Sequence, residues 1–207
     1  MAIKKMKPTT PSRRNMTSAD FDTITTKKPV KSLITIRKKT AGRNSQGRIT
    51  TRHHGGGMKQ FIRNVNFDLA AGTVATVEHI EYDPNRSARI ARVRDEAGDL
   101  HYVIAANGMA QGQKISVADD KPVAVETGNR MTLREIPTGA TIHNIEITLG
   151  KGAQAVRAAG ARAQLTAKEG EYAQVRLPSG EVRRIPMNAK ATIGAVGNHD
   201  HENVRIG

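Results

Sequence analysis

The 207-residue sequence has no cysteine and no tryptophan, and it holds only three tyrosines and three phenylalanines. Without cysteine it can form no disulfide, thiolate zinc site, iron–sulfur cluster or cysteine nucleophile. So few aromatic rings argue against capture of free single strands by base stacking, which relies on such platforms. No window reaches the roughly 18 consecutive apolar residues of a membrane span. The opening MAIKKMKPTTPSRR offers no apolar stretch for a signal-peptide core. The chain is therefore expected to stay in the compartment where it is made, away from membranes.

Apolar residues make up 37% of the chain, against roughly 45–50% in typical globular proteins. Cores should be small and loops many, and the length suits two small domains better than one large one.

Acidic residues are missing from one region in particular. Residues 1–63 carry sixteen Lys and Arg but only Asp20 and Asp22, a balance of +14 that equals the net charge of the whole chain. Residues 64–207 carry seventeen charges of each sign. A single-sign block cannot neutralise itself and has little apolar surface to bury, so it should be poorly ordered alone and fold on a polyanion. A solubilising tail is the bland alternative. A membrane-surface tail is disfavoured, because no amphipathic stripe of Leu, Phe or Trp accompanies the charge.

Residues 1–60 interleave Pro, Gly, Ser and Thr with Lys and Arg without a helical period, which reads as an extended basic arm with one short strand near Ser32–Arg37. From Phe61 onward, short Val-, Ile- and Thr-rich runs predict strands at Thr73–Tyr82, Ala88–Arg94, Leu100–Ala105 and Lys114–Val117. A second set is predicted at Met131–Glu135, Thr141–Thr148, Ala161–Ala167, Glu171–Leu177, Glu181–Met187 and Lys190–Val196. Turn chemistry such as Asp83-Pro84-Asn85, Asn107-Gly108 and the hairpin loop Leu177-Pro178-Ser179-Gly180-Glu181 separates them. Strands at this spacing argue for small β-barrels or sandwiches, mostly β overall. The boundary is expected near Lys121–Gly128, giving an arm over 1–60, domains over 61–124 and 125–198, and a remnant tail over 199–207. A single helical turn is expected at Ala153–Ala159.

The densest motif is GRNSQGRITTRHHGGGMKQ, from Gly42 to Gln60. Arginine forks suit phosphate oxygens, and glycine lets backbone N–H groups approach a phosphate closely. Arg43, Arg48, Arg52, His53 and Lys59 are therefore candidate RNA contacts, as are Arg13, Arg14, Lys38, Lys39 and Arg63 in the same basic region. Gly55-Gly56-Gly57 is no nucleotide loop, since neither a P-loop pattern nor a dinucleotide fingerprint is present.

In Tyr82-Asp83-Pro84-Asn85-Arg86-Ser87 the turn residues read as structural, while Arg86 is a candidate contact projecting from a rigid corner. Arg89, Arg92 and Arg94 would extend it into a row, unless acids such as Asp95, Glu96 and Asp99 pair with them. Gly150 to Gly160 sets Lys151 and Arg157 among small residues that let a chain lie close to phosphates, with Arg162 just beyond. Seven histidines invite a metal reading, but His53-His54 has no carboxylate nearby and His199-Asp200-His201-Glu202 has no supporting shell. No catalytic residue and no metal site is expected.

Taken together, GRNSQGRITTRHHGGG, YDPNRSARIA, IPTGATIHNIE, GKGAQAVRAAG, LPSGEVRRI and ATIGAVGN resemble, over essentially the whole length, the universal large-subunit ribosomal protein two family in its bacterial form. The resemblance implies an oligonucleotide-binding-type β-barrel after the arm, then an SH3-like β-barrel. It implies a monomer within the ribosome that contacts large-subunit rRNA and neighbouring ribosomal proteins and can reach the small subunit. Roles in assembly, subunit association and support of the peptidyl-transferase region would follow, in a cytoplasmic or organellar ribosome. Arg86 and the basic residues of Lys151–Arg157 fall on positions that family uses for RNA. No cofactor is implied, any Mg2+ belonging to the rRNA. The family continues beyond the Gly197-Asn198 region into a basic tail with a histidine motif, whereas this sequence stops at Gly207, so its functional histidine is not transferred to His199 or His201. Met58 also replaces a polar or basic residue found in many relatives. The alternatives are a free-standing RNA-binding chaperone or translation factor, which high salt would strip from ribosomal particles, and an RNA-modifying enzyme, which would need a cofactor site.

Overall fold

β-branched residues pack well on a pleated surface, and the Val-, Ile- and Thr-rich runs accordingly form strands. The computed structural model describes residues 3–37, 39–119 and 123–207, which contain fourteen strands and two single-turn 3-10 segments, with no α-helix among the described residues.

In the first unit, β5 (Val74–Glu81), β6 (Ile90–Asp95), β7 (Leu100–Ile104) and β8 (Lys114–Ser116) form an antiparallel sheet in the order β7-β6-β5-β8. Its core gathers Leu69, Ala75, Val77, Ala91, Val93, Val103, Met109, Ile115 and Val117. A register shift between Val77 and His79 re-phases β5 against β6, as a bulge does.

The second unit is a six-stranded antiparallel sheet. It comprises β9 (Arg130–Thr132), β10 (Thr141–His143), β11 (Ala163–Glu169), β12 (Tyr172–Arg176), β13 (Val182–Pro186) and β14 (Lys190–Ile193), in the order β13-β12-β11-β10-β14-β9. Its fully buried Leu133, Ile136, Ile142, Ile145, Leu165, Val175 and Ile185 pack with small alanines, each large side chain contributing about 1.5–3 kcal/mol of burial. The β12–β13 loop closes as a hairpin through Leu177 N–H to Glu181 O at 2.8 Å and Gly180 N–H to Leu177 O at 2.9 Å.

The strands expected over Met131–Glu135 and Lys190–Val196 end early, at Thr132 and at Ile193 before the left-handed Gly194, and two further expectations fail for backbone reasons. The strand expected over Thr141–Thr148 ends at His143, because Asn144 turns left-handed at φ 54°. Ala153–Ala159 forms no helical turn: Ala155 bridges Ile145, Ala153 N–H bonds Phe67 O at 3.1 Å, and Val156 sits at φ 56°. Lys121, at the expected boundary, lies outside the described residues.

Motif residues hold the two units together. Ala106 bridges Val196, Gly197 N–H bonds Ala105 O at 2.9 Å, and Asn107 N–H bonds Ala195 O at 2.8 Å. A Cβ at Gly197 would stand 3.1 Å from that Ala105 oxygen, which explains a glycine there. Asn198 Nδ2 donates to Ser87 O at 2.7 Å, and a small apolar cluster of Ala88, Ile104 and Val196 fills the seam with Val65, Phe67 and Ala161.

The basic segment has more structure than one strand. β1 (Ile3–Lys5) pairs with β2 (Thr17–Ala19), and β3 (Ile34–Arg37), preceded by a 3-10 turn at Lys31–Leu33, pairs with β4 (Gln60–Arg63). Thr25 N–H bonds Ile80 O at 3.0 Å and Thr26 bridges Glu81, which lays the chain along β5. Arg205 and Thr17 exchange bonds at 2.8 Å, tying the hairpin to the C-terminal residues.

Candidate nucleic-acid interface

Strands β3 and β4 bracket a loop whose backbone is fixed by short polar contacts. Asn44 Oδ1 accepts the N–H groups of Gln46 and Arg48 at 3.0 Å each, Arg43 bridges Ile49, and Gly42 O accepts Thr50 N–H at 2.9 Å. Gly42 lies at φ 72°, and a Cβ there would overlap the Thr51 carbonyl, so no other residue fits without a shift.

This miniature hairpin presents Arg43 and Arg48 on opposite arms. Lys39, Arg43, Arg48, Arg52, His53 and Lys59 are all exposed, as are Arg13 and Arg14 in the β1–β2 connection. None of them forms an ion pair among the described residues. Asp20 and Asp22, the segment's two acids, lie beside each other, and the Asp20 hydrogen bond pushes Asp22 above its ordinary value. Lys38 lies outside the described residues. Arg63 is half-buried and donates to Phe61 O at 2.8 Å, with its Nε enclosed and unpartnered. A polar cavity of about 310 Å³ opens between this loop and the Asp83–Arg86 turn, lined in part by Lys39, His54, Gln60 and Asn85.

A second basic patch forms at the seam between the units. Arg86 and Arg157, 71 positions apart in sequence, both stand over the Phe67 ring, at 5.6 and 4.7 Å from its centroid. Arg86 Nε also bonds the buried Asp83 at 2.6 Å, and Arg157 Nη1 bonds Ala153 O at 3.2 Å. Such stacking restrains a guanidinium while leaving other N–H groups to face outward. Lys151 is exposed next to Gly152, which lies against Phe67 and Asp68, while Arg162 is exposed on a separate cavity that it lines with His199 and Glu202.

The surface row expected of Arg86, Arg89, Arg92 and Arg94 does not form. Arg89 is only 4% exposed and lies between Phe21 and Tyr82, 4.9 and 5.4 Å from their centroids. Burial lowers its pKa. Arg92 and Arg94 pair with Glu78 across the β5–β6 register at 3.1 and 2.5 Å, rather than with Asp95, Glu96 or Asp99. Those contacts hold Glu78 below its usual carboxylate value, the Arg94 hydrogen bond acting most strongly.

Buried titratable groups serve the scaffold. The Tyr102 hydroxyl donates to Glu81 Oε2 at 2.8 Å and accepts Val30 N–H at 2.9 Å, which anchors the basic segment. Burial pushes Tyr102 up to about 12 and raises Glu81. Arg130, deep at the seam, donates to Asn144 O at 2.8 Å, and burial lowers its pKa against the opposing charges of Asp68 and Glu146. Among the described residues no group of three or more His, Cys, Asp or Glu is placed to hold a metal ion.

Phe67 and Asn85 lie outside the sequence-predicted contacts, and His54 and Gln60, although within the Gly42–Gln60 motif, are not among the individual contacts expected. Phe67 carried one signal, as one of three phenylalanines in the chain placed immediately before the first barrel's strands.

Two family models match the chain. The one described as Ribosomal Proteins L2, RNA binding N-terminal domain, covers residues 30–117, and the one described as Ribosomal Proteins L2, C-terminal domain, covers residues 126–207. The first range holds the basic loop and the whole first core, and the second holds β9 to β14.

Proposed function

Since the chain belongs to the ribosomal protein L2 family, and is thus a structural, rRNA-binding component of the large ribosomal subunit with an oligonucleotide-binding-type barrel followed by an SH3-like barrel, we propose that it acts as an electrostatic clamp. The loop cations Arg43, Arg48, Arg52 and Lys59, with Lys39, Arg13 and Arg14, neutralise phosphates on one stretch of folded RNA. Arg86, Arg157, Lys151 and Arg162 meet a second stretch at the seam. The observation that carries this reading is the absence of any ion-pair partner, among the described residues, for the exposed loop cations. Mutual repulsion there is relieved when RNA phosphates lie between the side chains.

By bringing two RNA segments together the protein supports subunit assembly, and through its ribosomal neighbours it supports subunit association and the peptidyl-transferase region. It does so as a single copy, without covalent chemistry of its own and without a resident cofactor, Mg2+ being held by the RNA. It works wherever its ribosome resides, in the cytoplasm or an organelle. A salt titration of binding to large-subunit rRNA should give a log–log slope of about −0.7 to −0.9 per phosphate contacted. A slope near zero overturns the clamp. Sedimentation in high salt separates a stable ribosomal component, which stays on the particle, from a transient factor, which washes off.

A further inference from the structure

The cavity between the basic loop and the Asp83–Arg86 turn is larger and chemically more varied than a phosphate site. Its volume is about 310 Å³, at the lower end of the roughly 300–1,000 Å³ of small-ligand sites. Lys39 is the sole cation among its lining residues, which otherwise include the imidazole of His54 and the amides of Gln60 and Asn85. Gly42 and Gly55 keep it open, since neither projects a side chain into it.

Asn85 is held in one orientation. Its Nδ2 donates to Phe61 O at 2.8 Å and to Asp83 Oδ1 at 3.2 Å, so both amide protons face acceptors and its Oδ1 has no partner among the described residues. Asp83 is itself fully buried, and it also accepts Asn85 N–H at 2.8 Å. One wall of the cavity is thus a preorganised acceptor on a rigid turn. The facing wall is the loop whose cations form no ion pair among the described residues.

We propose that this cavity receives a single nucleotide looped out of folded rRNA, a proposal that rests on the RNA-clamp reading and names what one part of it recognises. Unstacked RNA bases are held by stacking on aromatic rings or imidazole and by hydrogen bonds along their edges. His54 supplies the ring. Gln60 and the free Oδ1 of Asn85 meet the base edge, the latter suiting an exocyclic amino group, and Lys39 meets the phosphate of the extruded nucleotide. Arg43, Arg48 and Lys59 of the same loop hold the flanking phosphates. Scarcity of aromatic rings argues against binding a run of stacked bases, but one extruded base needs only one ring.

The test titrates the full chain with three RNA hairpins that differ at one position. One stem is fully paired, one carries a bulged adenosine, and one carries a bulged abasic site. The bulged adenosine should bind about tenfold more tightly than either of the others, the effect of stacking and pairing one base. In H54A/Q60A, which alters one exposed loop residue and the exposed first residue of β4, that preference should collapse towards unity.

Equal binding of the adenosine and abasic bulges would show that the cavity holds only backbone and would overturn the proposal, as would a preference that survives H54A/Q60A. The abasic comparison uses the unaltered protein, so it decides even where the variant loses binding altogether. If none of the three RNAs binds, the clamp itself fails and the pocket with it. If the paired stem binds with a steep salt slope but the bulge adds nothing, only the pocket fails.

Discussion

Residues 1–63 and 64–207 carry nearly equal numbers of cations, sixteen and seventeen, yet the two regions use them in opposite ways. In the barrels, many arginines are absorbed by the fold, although Arg134, Arg162 and Arg176 stand exposed without an ion pair among the described residues. Arg92 and Arg94 share Glu78, Arg183 meets Glu181, Arg184 meets Glu169, and Arg89 is enclosed by two aromatic rings. In the loop before β4, Arg43, Arg48 and Arg52 stand exposed with no such partner among the described residues. The number of positive charges therefore does not mark the interface. On the proposed clamp reading, what marks it is the density of cations left without a partner, because only those gain when phosphate arrives. Arg86 and Arg157 lie between the two cases, restrained by Phe67 but close to the surface.

The sharpest way to break that comparison is to remove the unpaired charges. R43A/R48A/R52A should weaken rRNA binding on the order of a hundredfold and make the log–log salt slope shallower by about 2–3, if each arginine meets one phosphate. The melting temperature should hardly move, since none of the three packs in a core. A large fall in melting temperature with an unchanged slope would place these arginines in the scaffold instead.

The next test concerns the scaffold alone. His143 is fully buried in the second barrel, and burial pushes its pKa down to about 4, with the Arg130 charge acting in the same direction against the Gly194 carbonyl bond at 2.8 Å. The unfolded chain takes up a proton as pH falls through about 6.5, whereas the folded chain refuses it until about 4. The stabilisation is thus complete above about 6.5 and declines as pH falls towards 4, with about 2 kcal/mol gone by pH 5. Urea denaturation at pH 7 and pH 5 should show the decline, and His143→Gln should remove that share of it even if the variant is weaker at both values. Equal pH dependence in the two proteins would mean that His143 protonates freely in the fold.

These contrasts were partly legible in the sequence. The charge asymmetry needs only counting, and the Val- and Ile-rich runs mark the barrels, because alternation of buried residues is a local pattern. The exposure of the Gly42–Gln60 loop was also legible, since a stretch of glycines and arginines has little apolar surface to bury. Partner choice was not. Arg92 and Arg94 meet Glu78 only through the β5–β6 register, which a bulge at Val77–His79 shifts, and local spacing does not reveal a shift of that kind. The docking of the basic segment depends on pairs such as Thr17 with Arg205, 188 positions apart. Phe67 escaped notice because a lone aromatic residue next to a strand reads as core. Its contacts with both arginines appear only when the Arg86 turn and the Arg157 loop meet over it.

That meeting gives a third test, at the border between the two uses of charge. Phe67→Leu keeps both arginines and most of the apolar volume but removes the ring, so stability should fall by about 1 kcal/mol. Binding to rRNA should weaken a few-fold with an unchanged salt slope, because the cations remain but are less well held. A shallower slope would mean instead that Arg86 or Arg157 had left the interface altogether.

The smallest effect should come from an arginine that looks most like those of the loop. Arg94 has a half-exposed side chain, at 51%, yet its Nε contacts Glu78 at 2.5 Å. An exposed ion pair contributes little, so Arg94→Ala should cost under about 1 kcal/mol in stability. Its charge is already answered by a carboxylate, and rRNA affinity should stay within about twofold with the salt slope intact. Arg48→Ala, which removes an exposed cation with no ion pair among the described residues, should reduce the slope by about 1. If the two variants lost affinity equally, pairing would not be what distinguishes the loop from the barrels, and exposure of positive charge alone would account for binding.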